Sequence, residues 1–227
     1  MDEISWRALH LASKVIVRQR LDLQITGKEF LPASGPVIVA ARHYHHLYDG
    51  CILLATIERP AHILVGLDWV KNRLGRRALT AACRAAAWPM IYRPDSPYRS
   101  DRHEPRMMLQ GTRDALRLLQ ANRILIVFPE AYPNIDPGVT MKTAPDDFLP
   151  FRPGFARFAR LAAQRGLTVP IVPAGFFYHR EQDGWHVALR FGPPMTVSAS
   201  GSSPADLARI VQEQVEALST PETSVPA

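Results

Sequence analysis

Cysteine is almost absent from this sequence of 227 residues, which contains only Cys51 and Cys83. The two match no metal-ligand spacing, which excludes a cysteine-based metal centre. Both lie in apolar surroundings. We therefore expect two buried thiols and no disulfide, as is typical of a reducing compartment.

Long apolar runs are also missing. The longest candidate, residues 168–178, is shorter than the ~18 residues that a membrane-spanning helix needs, and it contains two prolines. The first residues show no signal-peptide pattern, because Asp2 and Glu3 come first and basic residues interrupt the apolar positions after them. These absences predict a cytoplasmic protein, with attachment to a membrane surface left open.

Acidic residues are outnumbered, with 21 Asp and Glu against 27 Lys and Arg, for a net charge of +6. This excess indicates anionic partners, for which nucleic acid, phospholipid and phosphorylated substrates all qualify. The sequence has no recognisable nucleic-acid motif, and aromatic residues are not interleaved with its basic clusters. We therefore expect no nucleic-acid partner.

What is present is a globular composition, with 47% hydrophobic and 21% charged residues and no internal repeat. Predicted strands alternate with predicted helices, which favours an α/β fold. We expect a single-domain α/β sandwich around a mixed, largely parallel sheet over residues 1–218, with a flexible tail at 219–227. The strands are predicted at 21–25, 37–41, 61–66, 90–92, 123–128, 169–172 and 185–191. Helices are predicted at 4–18, 49–57, 70–86, 107–119, 154–164 and 204–218.

The first predicted helix, at about 4–18, is amphipathic. Its residues Arg7, Lys14 and Arg18 share one face by their spacing, while Trp6 lies elsewhere. Two interpretations stay open: a helix lying on anionic lipid, or an ordinary helix packed on the domain.

Three histidines and an aspartate follow the apolar run 37–41, in the stretch RHYHHLYDG. A histidine oriented by a carboxylate is the minimum apparatus for activating a hydroxyl group at neutral pH. A helical conformation favours His45, which would lie only about 40° from Asp49, whereas a loop favours His43, with Asp49 returning as the N-cap of a helix. The three histidines lack a distant cysteine or carboxylate partner, so no metal site is expected.

Four segments in order resemble the glycerolipid acyltransferase family, typified by lysophosphatidic acid acyltransferases (PlsC-like). They are GPVIVAARHYHHLYDG, WPMIYR, VFPEAYPN and VPIVPAGF, and the resemblance extends from about residue 27 to 195. Register with the family's usual GPVIVVSNH places His43 at the position of the base.

The resemblance implies the glycerol-phosphate acyltransferase fold and a role for each matching residue. His43 is then the general base and Asp49 its orienting partner, with His45 as the alternative base. Arg93 would contact the anionic head group of the acceptor, and Glu130, with Phe128 and Pro129, would shape the acceptor site.

The reaction implied is direct transfer of a fatty acyl group from an acyl-CoA or acyl-carrier-protein thioester to a lipid hydroxyl, with no acyl-enzyme. A 1-acylglycerol-3-phosphate acceptor is the default. No metal or bound cofactor is implied, and the enzyme is expected at the inner face of the cell membrane. The alternatives are another lipid, glycolipid or amine acceptor, or a non-catalytic lipid-binding member of the fold.

Two departures from the family pattern stand out. The family separates histidine and aspartate by four residues, whereas five lie between His43 and Asp49. The family's FPEGTRS is FPEAYPN here, so Ala131 replaces glycine and the family's arginine has no counterpart. The loop between this segment and FRPG is also longer than is usual in the family. Arg152, in the FRPG segment, is a candidate to replace the missing arginine at an anionic acceptor.

Overall fold

The structure is a computed structural model of the chain. It describes residues 3–68, 70, 72–92, 104–136, 140–144, 146–182, 184–196 and 201–221. The predicted contact residue Arg93 and positions 222–227 of the predicted tail lie outside the described residues.

Helices and strands alternate along the chain. The helices are α1 (Glu3–Arg20), α2 (Tyr48–Thr56), α3 (Arg73–Ala85), α4 (Glu104–Gln120), α5 (Gly154–Ala163) and α6 (Pro204–Leu218). The strands are β1 (Leu21–Thr26), β2 (Val37–Ala41), β3 (Ala61–Ile63), β4 (Val65–Gly66), β5 (Met90–Ile91), β6 (Ile124–Val127), β7 (Ile171–Arg180) and β8 (Trp185–Phe191).

Six of the strands form one sheet in the order β1-β8-β7-β2-β6-β3. All neighbouring pairs are parallel except β7 and β8, which are antiparallel. Strands β4 and β5 form a separate parallel pair. The predicted fold class, a single α/β domain around a mixed, largely parallel sheet, is confirmed.

Side chains alternate between the two faces of the sheet and create two hydrophobic layers. One layer joins Val37 and Val39 of β2 to apolar residues of α1 and α2. The other joins Ile38 and Ala40 to α4, α5 and α6. Strand β2 is covered on both faces, which explains why its five residues are all apolar and fully buried. The last residue of β2 therefore opens onto the edge of a rigid core.

Several of the predicted boundaries were wrong. Strand β7 continues to Arg180, because β8 pairs antiparallel with residues 174–180 and supplies hydrogen bonds beyond Pro173. The predicted strand 61–66 is divided, since β3 pairs with β6 whereas β4 pairs with β5. Helix α4 begins at Glu104. Helix α2 begins at Tyr48, so Asp49 lies in its first turn and is not its N-cap.

Helix α1 packs on the domain and also presents an apolar face outward. Trp6 and Val17 are buried in the layer that contains α2. On the opposite side of the helix, three large apolar residues are exposed: Ile4, Leu11 and Val15. The predicted basic face, Arg7, Lys14 and Arg18, is exposed as well. Within the described residues, no helix is both long enough and apolar enough to cross a membrane.

Candidate active site

The histidine-rich segment leaves the carboxyl end of β2 as a loop. Strand β2 lies between β7 and β6, near the middle of the sheet, and ends at Ala41. The next helix begins only at Tyr48. His43 therefore projects from the edge where the carboxyl ends of parallel strands meet, which is where α/β proteins bind their ligands. The loop interpretation of the sequence is the one observed.

Asp49 is the centre of the hydrogen bonds in this loop. Its Oδ2 accepts from the Nδ1–H of His43 at 2.9 Å and from the backbone N–H groups of Tyr44 and His45 at 2.6 and 2.9 Å. Its Oδ1 accepts from the hydroxyl of Tyr178 at 2.6 Å. The side chain of Asp49 has no exposed surface. Four donors thus stabilise a carboxylate that water does not reach.

Three contacts hold His43 in place, two through its ring and one through its backbone. Nδ1 is bonded to Asp49, the ring stacks on Phe128 with centroids 4.3 Å apart, and the backbone N–H donates to Glu130 Oε1 at 2.8 Å. Because Nδ1 carries its proton toward the carboxylate, Nε2 is left as the acceptor. The side chain keeps 15% of its surface exposed, so a substrate can reach it.

His45 has a different task. Its Nδ1 accepts from the backbone N–H groups of Leu47 and Tyr48, at 3.2 and 3.3 Å, and so caps the first turn of α2. Burial lowers the pKa of His45 to about 4, and the charge of His46 acts in the same direction. Asp49 contacts the backbone of His45 and not its ring. The structure therefore pairs the aspartate with His43.

A buried ion pair between Lys142 and Glu130 supports the histidine loop. Lys142 Nζ lies 2.5 Å from Glu130 Oε2 and also donates to the backbone oxygen of His43 at 2.7 Å and to Asn134 Oδ1 at 2.9 Å. Burial lowers the pKa of Lys142, and Glu130 opposes that shift. The sequence reasoning missed Lys142. Its only signal was the longer loop after the third segment, which provides the lysine.

The extra residue of the histidine loop is absorbed by a second loop. Ile135 donates its N–H to the backbone oxygen of Tyr44 at 2.7 Å, and His46 donates its N–H to that of Ile135 at 3.1 Å. The two segments thus form a short parallel bridge between His45 and Ile135. This bridge ties residues 44–46 to the second loop, and Asp49 contacts His43 with five residues between them.

Ala131 occupies the position of the family's glycine in a left-handed conformation, with φ of 68°. A residue with a Cβ is strained there by roughly 1–2 kcal/mol. The N–H of Ala131 closes a turn onto Phe128 O at 3.0 Å, which positions Glu130 below His43. The turn therefore forms here with alanine in place of the family's glycine.

The remaining predicted site residues lie around the same loop. Phe128 stacks on His43, and Pro129 accepts the backbone N–H of Arg152 at 3.1 Å. The guanidinium of Arg152 lies 5.8 Å from the ring centroid of Tyr132. The structure thus brings His43, Asp49, Phe128, Pro129 and Glu130 together and places Arg152 at their margin.

A second basic residue, Arg42, is buried directly before His43. Its Nη1 donates to Phe176 O at 3.1 Å, and its guanidinium lies 4.2 Å from the ring centroid of Phe148. Burial lowers the pKa of Arg42, although Glu130 and the Tyr44 hydroxyl oppose this.

In the described part of the chain, no three His, Cys, Asp or Glu side chains are grouped so that they could hold a metal ion.

Comparisons with known proteins identify the family of the chain and its fold. A profile of the acyltransferase family matches residues 22–176, more than half of the chain. Curated protein sequences give no match. Among solved structures, the 1-acyl-sn-glycerophosphate (LPA) acyltransferase PlsC from Thermotoga maritima superposes with a TM-score of 0.65 and 18% identity, over 93% of this chain and 77% of that one. At that identity the match shows a shared fold. The chain therefore belongs to the acyltransferase family, as the four sequence segments predicted.

Proposed function

We propose that this protein transfers a fatty acyl group from a thioester donor to the hydroxyl group of a lipid acceptor, with His43 as general base. The observation that carries this proposal is the bond from His43 Nδ1 to the buried carboxylate of Asp49. It fixes the tautomer and leaves Nε2 as a proton acceptor on a partly exposed ring. A base in this state is worth about 10²–10⁴ in rate.

The proposed reaction is direct. Nε2 of His43 accepts the proton of the acceptor hydroxyl while the hydroxyl oxygen attacks the thioester carbonyl carbon. The carbon–sulfur bond then breaks, and the leaving thiolate takes the proton back from the imidazolium. Asp49 stabilises that imidazolium while it exists, because its carboxylate accepts the Nδ1–H of His43 and is itself held by three further donors. No covalent acyl-enzyme is needed.

The default acceptor is 1-acylglycerol-3-phosphate, and its phosphate requires a cation. Lys142 does not qualify, because its three N–H groups are bonded to Glu130, His43 and Asn134. Among the described residues, we assign this contact to Arg152, which lies beside Pro129. By the family resemblance, Arg93 is the second. Donors of either kind, acyl-CoA or acyl-carrier protein, are compatible with this scheme.

Helix α1 supports attachment to the inner face of the cell membrane. Its exposed Ile4, Leu11 and Val15 form an apolar stripe beside the exposed Arg7 and Lys14, which is the pattern of a helix lying on anionic lipid. Leu11→Asp together with Val15→Asp should abolish co-sedimentation with vesicles that contain an anionic phospholipid. Unchanged co-sedimentation would contradict this attachment.

A thioester-release assay tests the catalytic proposal. The enzyme is mixed with acyl-CoA or acyl-carrier protein and a panel of acceptors that differ only in the head group: lysophosphatidate, a neutral lysolipid, a glycolipid and an amine. We expect release that depends on lysophosphatidate and is lost in Asp49→Asn. Release with every acceptor except lysophosphatidate would show that lysophosphatidate is not the acceptor. Lipid binding without release under any condition would make the protein a non-catalytic member of the fold.

A further inference from the structure

Helix α3 has an arginine face that the proposed chemistry does not use. Four arginines line one depression on this helix together with Thr80 and Ala81: Arg73, Arg76, Arg77 and Arg84. The 13 residues of α3 contain no Asp or Glu. Within the described residues, no carboxylate forms an ion pair with any of the four. Some other exposed arginines do have such partners: Arg7 pairs with Glu3, Arg117 with Asp114 and Arg209 with Glu213.

This charge arrangement is unfavourable for the isolated helix. Arg73 and Arg77 are like charges four residues apart, which destabilises a helix by about 0.2–0.5 kcal/mol. Arg73 and Arg76 also lie at the positive end of the helix dipole. An anionic partner would neutralise both effects, which makes the face a strong anion attractor.

Helix α3 follows, in the chain, a strand that ends at the edge of the active site. Strand β3 runs parallel to β6, so its end lies at the same edge of the sheet as His43. The short strand β4 comes next, and α3 begins after it at Arg73. The other end of the helix is anchored, because His62 Nδ1 of β3 lies 3.2 and 3.1 Å from the carbonyl oxygens of Ala86 and Ala87.

We propose that the arginine face of α3 docks an acidic carrier protein that delivers the acyl group as a thioester. From Arg73 to Arg84 the row extends about 16 Å along the helix. That length suits a row of carboxylates on a partner helix better than the compact phosphate cluster of coenzyme A. The inference rests on the proposed function and selects between its two donors.

The rest of the exposed surface of α3 favours a protein over a membrane. The other exposed residues of α3 are alanines and Leu74, which is the one large exposed apolar residue among those described in this helix. A helix that lies in lipid needs several bulky apolar side chains, as α1 has. Alanines instead let the backbone of a second helix approach closely. Charge complementarity would then add both affinity and a faster association rate.

Charge reversal of the face tests this proposal. In Arg73→Glu/Arg77→Glu/Arg84→Glu we expect the KM for the acyl-carrier-protein donor to rise about tenfold or more, since electrostatic steering changes association rates by 10–10³. The kcat/KM for acyl-CoA should stay within about twofold. Arg157→Glu/Arg165→Glu, at and after α5, makes a similar charge change on exposed arginines elsewhere and should leave both donors unaffected.

An equal effect on both donors, or none on the carrier donor, would overturn the proposal. Vesicle co-sedimentation that falls while the carrier KM is unchanged would assign the face to lipid and also overturn it. If the reversed variant does not fold, Arg73→Gln/Arg77→Gln/Arg84→Gln is measured in its place. Binding of a fluorescently labelled acyl-carrier protein is measured separately. Salt-sensitive binding without acyl transfer would support docking and refute the proposed function.

Discussion

Two His–Asp pairs among the described residues have nearly the same bond and very different surroundings. His43 Nδ1 lies 2.9 Å from Asp49, and His186 Nδ1 lies 3.0 Å from Asp22. The side chains of the first pair are 15% and 0% exposed, and those of the second are 31% and 66% exposed. A hydrogen bond between imidazole and carboxylate is therefore not what makes the first pair a candidate for catalysis.

The difference lies in what surrounds the carboxylate. Asp22 and His186 are directly opposite each other on the neighbouring strands β1 and β8. Such exposed pairs contribute about 0–1 kcal/mol, because water screens them. Asp49 instead has three further donors in a site without water access, where charges interact more strongly. The buried carboxylate can hold an imidazole in one tautomer, whereas the exposed one is a surface contact.

Removal of each histidine should give the largest contrast. We expect His43→Ala to lower kcat by about 10³, the value typical of a lost general base. His186→Ala should stay within about twofold, because its pair is exposed and does not involve Asp49. The measurement is acyl transfer under saturating donor.

His45→Ala completes that series. It removes a helix cap, which costs about 0.5–2 kcal/mol of stability, so kcat of the folded variant should fall less than in His43→Ala. An active His43→Ala with an inactive His45→Ala would move the base to His45.

Removal of one donor from the buried carboxylate should have a smaller effect. Tyr178→Phe leaves Asp49 Oδ1 without the hydroxyl that lies 2.6 Å away. The carboxylate then keeps only three of the four donors that hold it in place behind His43. At neutral pH the rate should drop about tenfold.

Tyr44→Phe is the matched control. The Tyr44 ring stacks on Tyr178 with centroids 4.5 Å apart, but its hydroxyl does not contact Asp49. Its rate should stay within about twofold of the unchanged protein. A loss of stability in Tyr178→Phe without any fall in kcat of the folded variant would reduce Tyr178 to a packing residue.

A further effect concerns stability in acid and leaves catalysis at neutral pH unchanged. The folded-state pKa of His45 is about 4, below the ~6.5 of an unfolded chain, so between these values the unfolded state binds a proton that the folded state does not. The free energy of unfolding should fall as pH drops below about 6.5 and level off near 4, by at most about 3 kcal/mol for this residue.

Urea unfolding at pH 7.5 and 5.0 measures this loss. His45→Asn should show a smaller loss between the two values than the unchanged protein. His186→Asn should show nearly the same loss as the unchanged protein, because that pair is exposed. Equal losses in all three proteins would contradict the assignment to His45.

The parts of this structure that a sequence can predict are those encoded locally. The apolar run of β2 and the polar residues after it predicted both the strand and its functional end. Lys142 and Tyr178 were missed, because they reach His43 and Asp49 across 99 and 129 positions of the sequence. No spacing or periodicity reports such contacts. The N-cap prediction for Asp49 failed for a related reason, since its carboxylate is occupied by the loop before the helix.

The bridge between His45 and Ile135 has a consequence for redesign. The extra residue before Asp49 and the long loop that contains Ile135 and Lys142 support each other, so they form one exchangeable module. A graft of the shorter family loop onto this scaffold would have to delete one residue between His43 and Asp49 in the same step. Either change alone would leave one of the two loops without its hydrogen-bonding partner.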